Sequence, residues 1–487
     1  MASTRPNVLF LFTDDQRFDA VQALANPEVR TPHMDRLVAE GTAFTHCAIM
    51  GSTIPAVCAP SRGMLLTGRS LWHLPPIATP WVEGWGEEQA SGAFGVRPSG
   101  RGLGSRELPH GSPKGENSKR RASGADACES FPQRLRRAGY ATFETGKWHN
   151  GRPLFARCFS GGAKIFFGGM SNHLEVPVYD FDPRGLYPRE AAYRGEKFSS
   201  ELFSDAAIDF LHGYSGEGPF LATVSYTAPH DPRMAPPPYD TMYDPAELAV
   251  PPNFLPEHPF DNGELGVRDE LLASFPRTPD EIRRHLADYY AMVTHADEQF
   301  GRVLDALDES GHAENTIVVF AGDNGLAVGQ HGLMGKQNLY EHSVRVPLVF
   351  RGPGVPRATT SHALCYLHDL YPTLCDLLGL PVPDTVESQS LAPILRGERQ
   401  SVRDTLFFAY RDVQRAVRER GLKLIEYRVG GQRRAQLFDL AADPWERADL
   451  SGDASRAADL ERLRSELADW QQRLDDPQAE AWRRGQP

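Results

Sequence analysis

Three apolar runs along the chain each stop abruptly at polar, chemistry-bearing residues. "NVLFLFTDD" ends in Asp14 and Asp15, "ENTIVVFAGDNG" closes on Asp323 and Asn324, and "GPFLATVSYTAPH" ends in His230. Runs of this length without apolar-polar alternation read as strands buried on both faces, the habit of parallel sheets covered by helices. Between them the pattern changes to helical periodicity. "TPHMDRLVAEG", with Pro32 early and Gly41 as a stop, "ESFPQRLRRAGY" and "EIRRHLADYYAMVTHADEQFGRVLDALDESG" are the clearest cases. Alternating strands and helices predict an α/β fold, with a large mixed, mostly parallel sheet sandwiched by helices. Ligands of such sheets gather beyond the carboxyl ends of the strands, so three polar clusters at three strand ends point to one shared site.

Two stretches break the alternation. Trp81 to Asp126 is rich in Gly, Ser, Arg and Lys and reads as a long loop or insertion. Pro232 to Pro279 is Pro-rich and irregular, a surface excursion bordering the site. After "SLAPILRGE" the chain turns to short strands joined by turn signals, then a helix with Leu460, Leu463, Leu467 and Trp470 on one face. This predicts a small C-terminal antiparallel sheet with one packed helix. The chain then divides into a catalytic domain over 1–395 and an α+β subdomain over 396–487.

Charge narrows the partners. A formal net charge of -12 argues against nucleic acid and anionic membrane surfaces, so an anionic substrate must be held by a local positive site. No apolar run approaches the roughly 20 residues of a membrane span. The N-terminus enters a strand-like run at once, without the regions of a signal peptide. As written the chain reads as cytoplasmic, and as periplasmic or secreted if Met stands in place of a leader. Cys47, Cys58, Cys128, Cys158, Cys365 and Cys375 show neither a disulfide framework nor zinc spacing, which fits a reducing compartment. That leaves Cys58 free for chemistry.

Asp14, Asp15, Asp323 and Asn324 offer hard oxygen ligands of the kind that bind Ca²⁺ or Mg²⁺. Any one pair alone reads equally as turn caps. "VCAPSRGMLLTG" sets Cys58 at or just before a helix N-terminus, because Pro60 suits the first turn. Such an end favours an anionic nucleophile or bound anion, and Arg62, four residues on, folds back toward the same side. A lone buried thiol packing as an apolar side chain is the plainer reading of Cys58. Hard ligands for a hard cation, however, suit an oxygen nucleophile better than sulfur.

"CAPSRGMLLTG" resembles the signature of type I sulfatases of the alkaline phosphatase superfamily, Cys-x-Pro-Ser-Arg-x-x-x-Leu-Thr-Gly, whose cysteine is oxidised to formylglycine. "FTDD", "TGKWH", "APH", "GDNG", "GQHGLMGK" and "LFDLAADPWERADLS" extend the resemblance over nearly the whole chain. It implies an alkaline-phosphatase-like sheet. It also implies Ca²⁺, with Mg²⁺ or Mn²⁺ as alternatives, held by Asp14, Asp15, Asp323, Asn324 and the modified Cys58. Formylglycine would be made from Cys58 by a formylglycine-generating or anaerobic sulfatase-maturating enzyme. One hydroxyl of its hydrate would attack sulfur and leave a sulfated enzyme. By the same resemblance Arg62 and Lys147 steady the formylglycine and sulfate oxygens, and Lys336 binds sulfate. His149 takes the proton from the remaining hydroxyl, and His230 is general acid to the leaving oxygen. The three aspartates balance Arg62, Lys147 and Lys336, so a divalent cation leaves the cluster at about +2, suited to a sulfate monoester.

The resemblance therefore predicts hydrolysis of sulfate monoesters of a small molecule or oligosaccharide. His73, His173, His331, Arg233 and the 81–126 insertion are candidate substrate elements, with His331 either touching substrate or packing in its loop. "HADEQ", His295 to Gln299, reads as a helix face. Two other readings compete. One is a phosphonate or phosphate ester hydrolase of the same superfamily. The other is a non-catalytic sulfate-ester binding protein, which would show losses among the cation ligands or Cys58, and none is seen.

Overall fold

The computed structural model describes residues 5–24, 26–79 and 128–483. The expected insertion from Trp81 to Asp126 lies outside the described residues. An eight-stranded sheet runs in the order Thr359–Tyr366, Thr42–Ala48, Leu348–Arg351, Thr316–Gly322, Asn7–Thr13, Phe220–Ser225, Ala141–Lys147, Gly161–Phe166. Leu348–Arg351 is antiparallel to both neighbours and every other pairing is parallel.

The unbroken apolar runs are explained by what covers them. Val8, Phe10, Phe12, Ile317 and Val319 join one core, while Leu9, Leu11, Val318 and Phe320 join another on the opposite face. Into the second core the helix Pro279–Glu309 sends Phe300, Val303, Leu304 and Leu307 against Phe203 and Leu211 of Ser199–Gly213. The helix Cys58–Thr67 is buried along its whole length and ends at Gly68 with φ 64°, a left-handed conformation that glycine adopts without strain. Four adjacent central strands thus carry their carboxyl ends to one edge, bringing Asp14, Asp323 and His149 around Cys58 and His230 beside Asp14 and Asp15.

The second sheet has the order Gln432–Asp439, Leu422–Val429, Gln414–Arg418, Leu406–Tyr410, Gly51–Ser52. Its first four strands are antiparallel, and Gly51–Ser52 adds a short parallel edge from the N-terminal half. The helix Ala457–Arg473 buries Leu463 and Leu467 against it, with Leu460 and Trp470 packed at the margin.

The Pro-rich stretch is irregular, as expected, but it is not merely a surface excursion. Arg277 is buried and pairs with Glu270 at 2.8 Å, and Glu270 also accepts the backbone N–H groups of Met334 and Gly335, each at 2.9 Å. A buried carboxylate satisfied in this way fastens the stretch to the segment that carries Lys336. Among the described residues no helix is long and apolar enough to cross a membrane.

Candidate active site

Cys58 is the first residue of its helix, 2% exposed, with Sγ 3.2 Å from His149 Nδ1 and 3.6 Å from Lys147 Nζ. Burial pushes its thiol up to about 11, against the pull of Lys147 and Lys336. At neutral pH it is a protonated thiol, and a protonated thiol is a weak nucleophile.

Around it the carboxylates interlock with cations. Lys147 Nζ bonds Asp14, Lys336 Nζ bonds Asp15 at 2.6 Å, and Arg62 Nε bonds Asp323 at 2.8 Å. Arg62 also donates to the Lys147 carbonyl at 2.8 Å and lies over the Phe12 ring. Asn324 Nδ2 donates to Asp15 at 2.6 Å, and the Asp15 N–H donates to Asp323 Oδ1 at 3.1 Å. Burial pushes Asp14 upward, but Lys147, His230, Arg62 and Lys336 hold it well below the usual carboxylate range. Asp323 goes the other way, up to about 6, through burial and the charge of Asp14. Asp15 and His149 hold φ of 62° and 60°, strained for non-glycine residues and characteristic of functional sites.

Ligand atoms of Asp14, Cys58 and Asp323 lie within 4.8 Å of one another, as do those of Asp14, Asp15 and His230. Among the described residues, Asp14 Oδ1 and Asn324 Oδ1 are buried without a hydrogen-bond partner. Two unsatisfied hard oxygens beside buried carboxylates fit a divalent cation, so the site can hold a metal ion.

His230 Nδ1 donates to the Asp231 carbonyl at 2.8 Å, with the Asp231 carboxylate at 3.2 Å, and its Nε2 faces Asp15 at 3.6 Å. His149 is driven well below its ordinary range by burial, then by Lys147 and Arg62, and is neutral.

The substrate candidates separate. His173, a candidate substrate element in the sequence, is buried against the backbone of His230. Thr227 donates to Ser199 Oγ at 2.9 Å, Ser199 Oγ meets His173 Nδ1 at 2.7 Å, and His173 Nε2 donates to the His230 carbonyl at 2.9 Å. His331 packs in its loop, stacked on Tyr340 at 3.9 Å with Asn253 Nδ2 donating to it at 3.1 Å. The His73 ring is engaged by Glu387 at 2.9 Å and Asp475 at 3.1 Å. Arg233 Nη1 meets His285 Nδ1 at 3.0 Å, while its Nε and Nη2 have no hydrogen-bond partner among the described residues. His295 is buried on its helix and meets Glu201 at 3.3 Å, a packed helix position as expected. Sequence reasoning did not single out Asp231, which faces His230, or Arg268, whose guanidinium bonds the Asp231 carboxylate. Only the adjacency of Asp231 to His230 could have drawn attention to either.

The sulfatase family profile matches residues 6–380, and the profile for the C-terminal part of N-sulphoglucosamine sulphohydrolase matches residues 329–473. An N-acetylglucosamine-6-O-sulfatase of Bacteroides thetaiotaomicron is 25% identical over 541 residues, covering 97% of this chain and 87% of that protein. A structure solved with its substrate D-glucosamine-2-N,6-O-disulfate superposes with a TM-score of 0.72 at 23% identity, covering 97% of this chain and 99% of the other. The phosphonate monoester hydrolase of Agrobacterium radiobacter shares the fold with a TM-score of 0.68 at 21% identity, over 95% and 96% of the two chains. With three quarters of its length matched and the motif residues gathered around Cys58, this chain belongs to the sulfatase family and is a sulfuric ester hydrolase.

Proposed function

We propose that the protein removes O-sulfate from a sugar or oligosaccharide, with Cys58 acting as formylglycine. The observation that carries the reading is the placement of Cys58 among Lys147, His149 and the carboxylates of Asp14 and Asp323, with a thiol too weakly acidic to serve as the nucleophile itself. The sugar preference is supported by the relative named for N-acetylglucosamine 6-O-sulfate and by the fold shared with the glucosamine disulfate complex.

Asp14, Asp15, Asp323 and Asn324 would hold the cation, and calcium suits this all-oxygen set. When bound it supplies electrostatic stabilisation of the sulfate oxygens and of the nucleophile. Lys147 and Lys336, already on the carboxylates, contribute positive charge to the sulfate side, and Arg62 is braced between Asp323 and the Lys147 carbonyl. His149, neutral and 3.2 Å from position 58, is placed to take a proton there. With Nδ1–H committed to Asp231, the proton His230 can give to a leaving oxygen is the one on Nε2.

Residues 1–395 would form the catalytic unit and 396–487 an α+β support. The six free cysteines support a reducing compartment. Because the Cys58–Thr67 helix is wholly buried, the maturating enzyme must meet Cys58 before the chain folds.

The fold shared with a phosphonate hydrolase makes the competing reading concrete. Parallel kcat/KM measurements on 4-nitrophenyl sulfate, an aryl phosphonate monoester and glucosamine 6-sulfate separate the two. Preference for the sulfates, with the sugar ester turned over, supports the proposal. A higher value on the phosphonate overturns it.

A further inference from the structure

The 3₁₀ turn Arg268–Leu272 belongs to the Pro-rich stretch, yet its first residue reaches the site. Arg268 Nη1 and Nη2 hold the two carboxylate oxygens of Asp231 at 2.6 and 2.9 Å, a bidentate clamp. The same guanidinium bonds Asp269 through Nε at 3.0 Å, and the other oxygen of Asp269 accepts from Gln337 Nε2 at 2.7 Å, next to Lys336. Asp231 and Asp269 are buried, whereas the Arg268 side chain is 46% exposed. Asp231 in turn faces His230 Nδ1 through both its carbonyl and its carboxylate. The imidazole is therefore held at Nδ1 by Asp231, itself clamped by Arg268, with Nε2 on the site side facing Asp15 at 3.6 Å, and the His230 carbonyl is held by His173.

We propose that Arg268 and Asp231 are positioning residues that fix the His230 ring with Nε2 toward the leaving oxygen. The inference rests on the reading of His230 as the general acid. Its chemical content is specific. As the ester S–O bond breaks, the leaving oxygen takes the bonding pair and receives the Nε2 proton, and a misdirected ring withholds that proton. A sugar alkoxide needs it, whereas 4-nitrophenolate departs without it. A merely structural role for the clamp would lower both rates alike.

The test compares the matured enzyme with Arg268→Met, Arg268→Lys, Asp231→Asn and His230→Gln on glucosamine 6-sulfate and 4-nitrophenyl sulfate. Arg268→Met and Asp231→Asn are expected to lose about 10- to 100-fold in kcat on the sugar ester, part of what general acid catalysis contributes. Loss on the aryl ester is expected to stay within a few-fold, with Arg268→Lys intermediate because one cation cannot reproduce the bidentate clamp. His230→Gln should show the same selectivity, more strongly. Selective loss in His230→Gln but equal losses on both esters in the Arg268 variants overturns the inference and leaves His230 as the acid. Equal losses in His230→Gln itself overturn that reading and the inference with it. Arg268→Lys keeps the charge at an exposed position and guards against a folding failure, which thermal unfolding of each variant reports.

Discussion

Each buried cation of the site is matched to a carboxylate, so removing one exposes the other. Lys147→Ala leaves Asp14, which is fully buried, without its nearest counter-charge. A fall in kcat of about 100-fold or more is expected on 4-nitrophenyl sulfate, the scale seen when a preorganised charge is removed from an active site. Asp323 supplies a pH dependence. Its carboxyl is raised from 3.8 to about 6, so in the cation-free protein the folded state binds the proton more tightly than the unfolded one. That contribution to stability is present at low pH and is lost as pH rises from about 4 through about 6. Cation binding requires the ionised form, so calcium affinity should climb up to about pH 6 and level off above it. Calorimetric titration on either side of that value checks this, and an affinity independent of pH contradicts it. Asp14, Asp15, His230, Asp323 and Asn324 were legible at the ends of apolar runs and Cys58 and Arg62 in the cysteine signature, whereas Lys147, His149 and Lys336 stood out only through the family resemblance. The supporting residues were not. His173 and His230 are 57 positions apart, and only tertiary packing makes one the brace of the other.

At the scale of elements, the loop through Gly169 shows how little room the site leaves. A Cβ at Gly169 would stand 2.7 Å from His149 Nε2, closer than side-chain atoms approach. Gly169→Ala should therefore push the His149 ring away from position 58. The expected result is roughly a 10- to 100-fold loss in kcat with little change in thermal midpoint, since displacements near 1 Å cost rates on this scale. An unchanged kcat would show that the ring has freedom the packing denies. The strands Asn7–Thr13, Phe220–Ser225 and Thr316–Gly322 and the helices from Pro32, Phe131 and Pro279 were readable because period and punctuation agree. Gly51–Ser52 was not, since a two-residue edge strand has no period to read. The Pro-rich stretch misled for a related reason: its buried residues, Asp269, Glu270 and Arg277, are polar, and Asp269 and Glu270 are satisfied by Gln337 and by the backbone of Met334 and Gly335, distant in sequence.

Across the whole molecule, the C-terminal sheet holds the Lys336 segment through a buried ion network. Lys423 meets Glu341 and Glu446 at 2.9 Å each, Arg418 meets Glu341 at 2.8 Å, and the Glu341 N–H donates to Glu446 at 2.7 Å. Among the described residues, Lys423→Met leaves the buried Glu446 without a cation and Glu341 with Arg418 alone, and the expected cost is about 3–5 kcal/mol, read as a lower denaturant midpoint. A midpoint unchanged within error would mean that the two parts of the chain are joined by apolar packing alone. A change of pattern near residue 396 is visible in the sequence, while the ion pairs that span it join charges far apart in sequence. All of these parts converge on position 58, and the most direct measurement is the mass of the peptide that contains it. Protein made together with a formylglycine-generating enzyme should lose roughly 18 Da there, the change from thiol to aldehyde, with sulfatase activity rising in proportion to the converted fraction. An unmodified Cys58 in fully active protein would contradict the account.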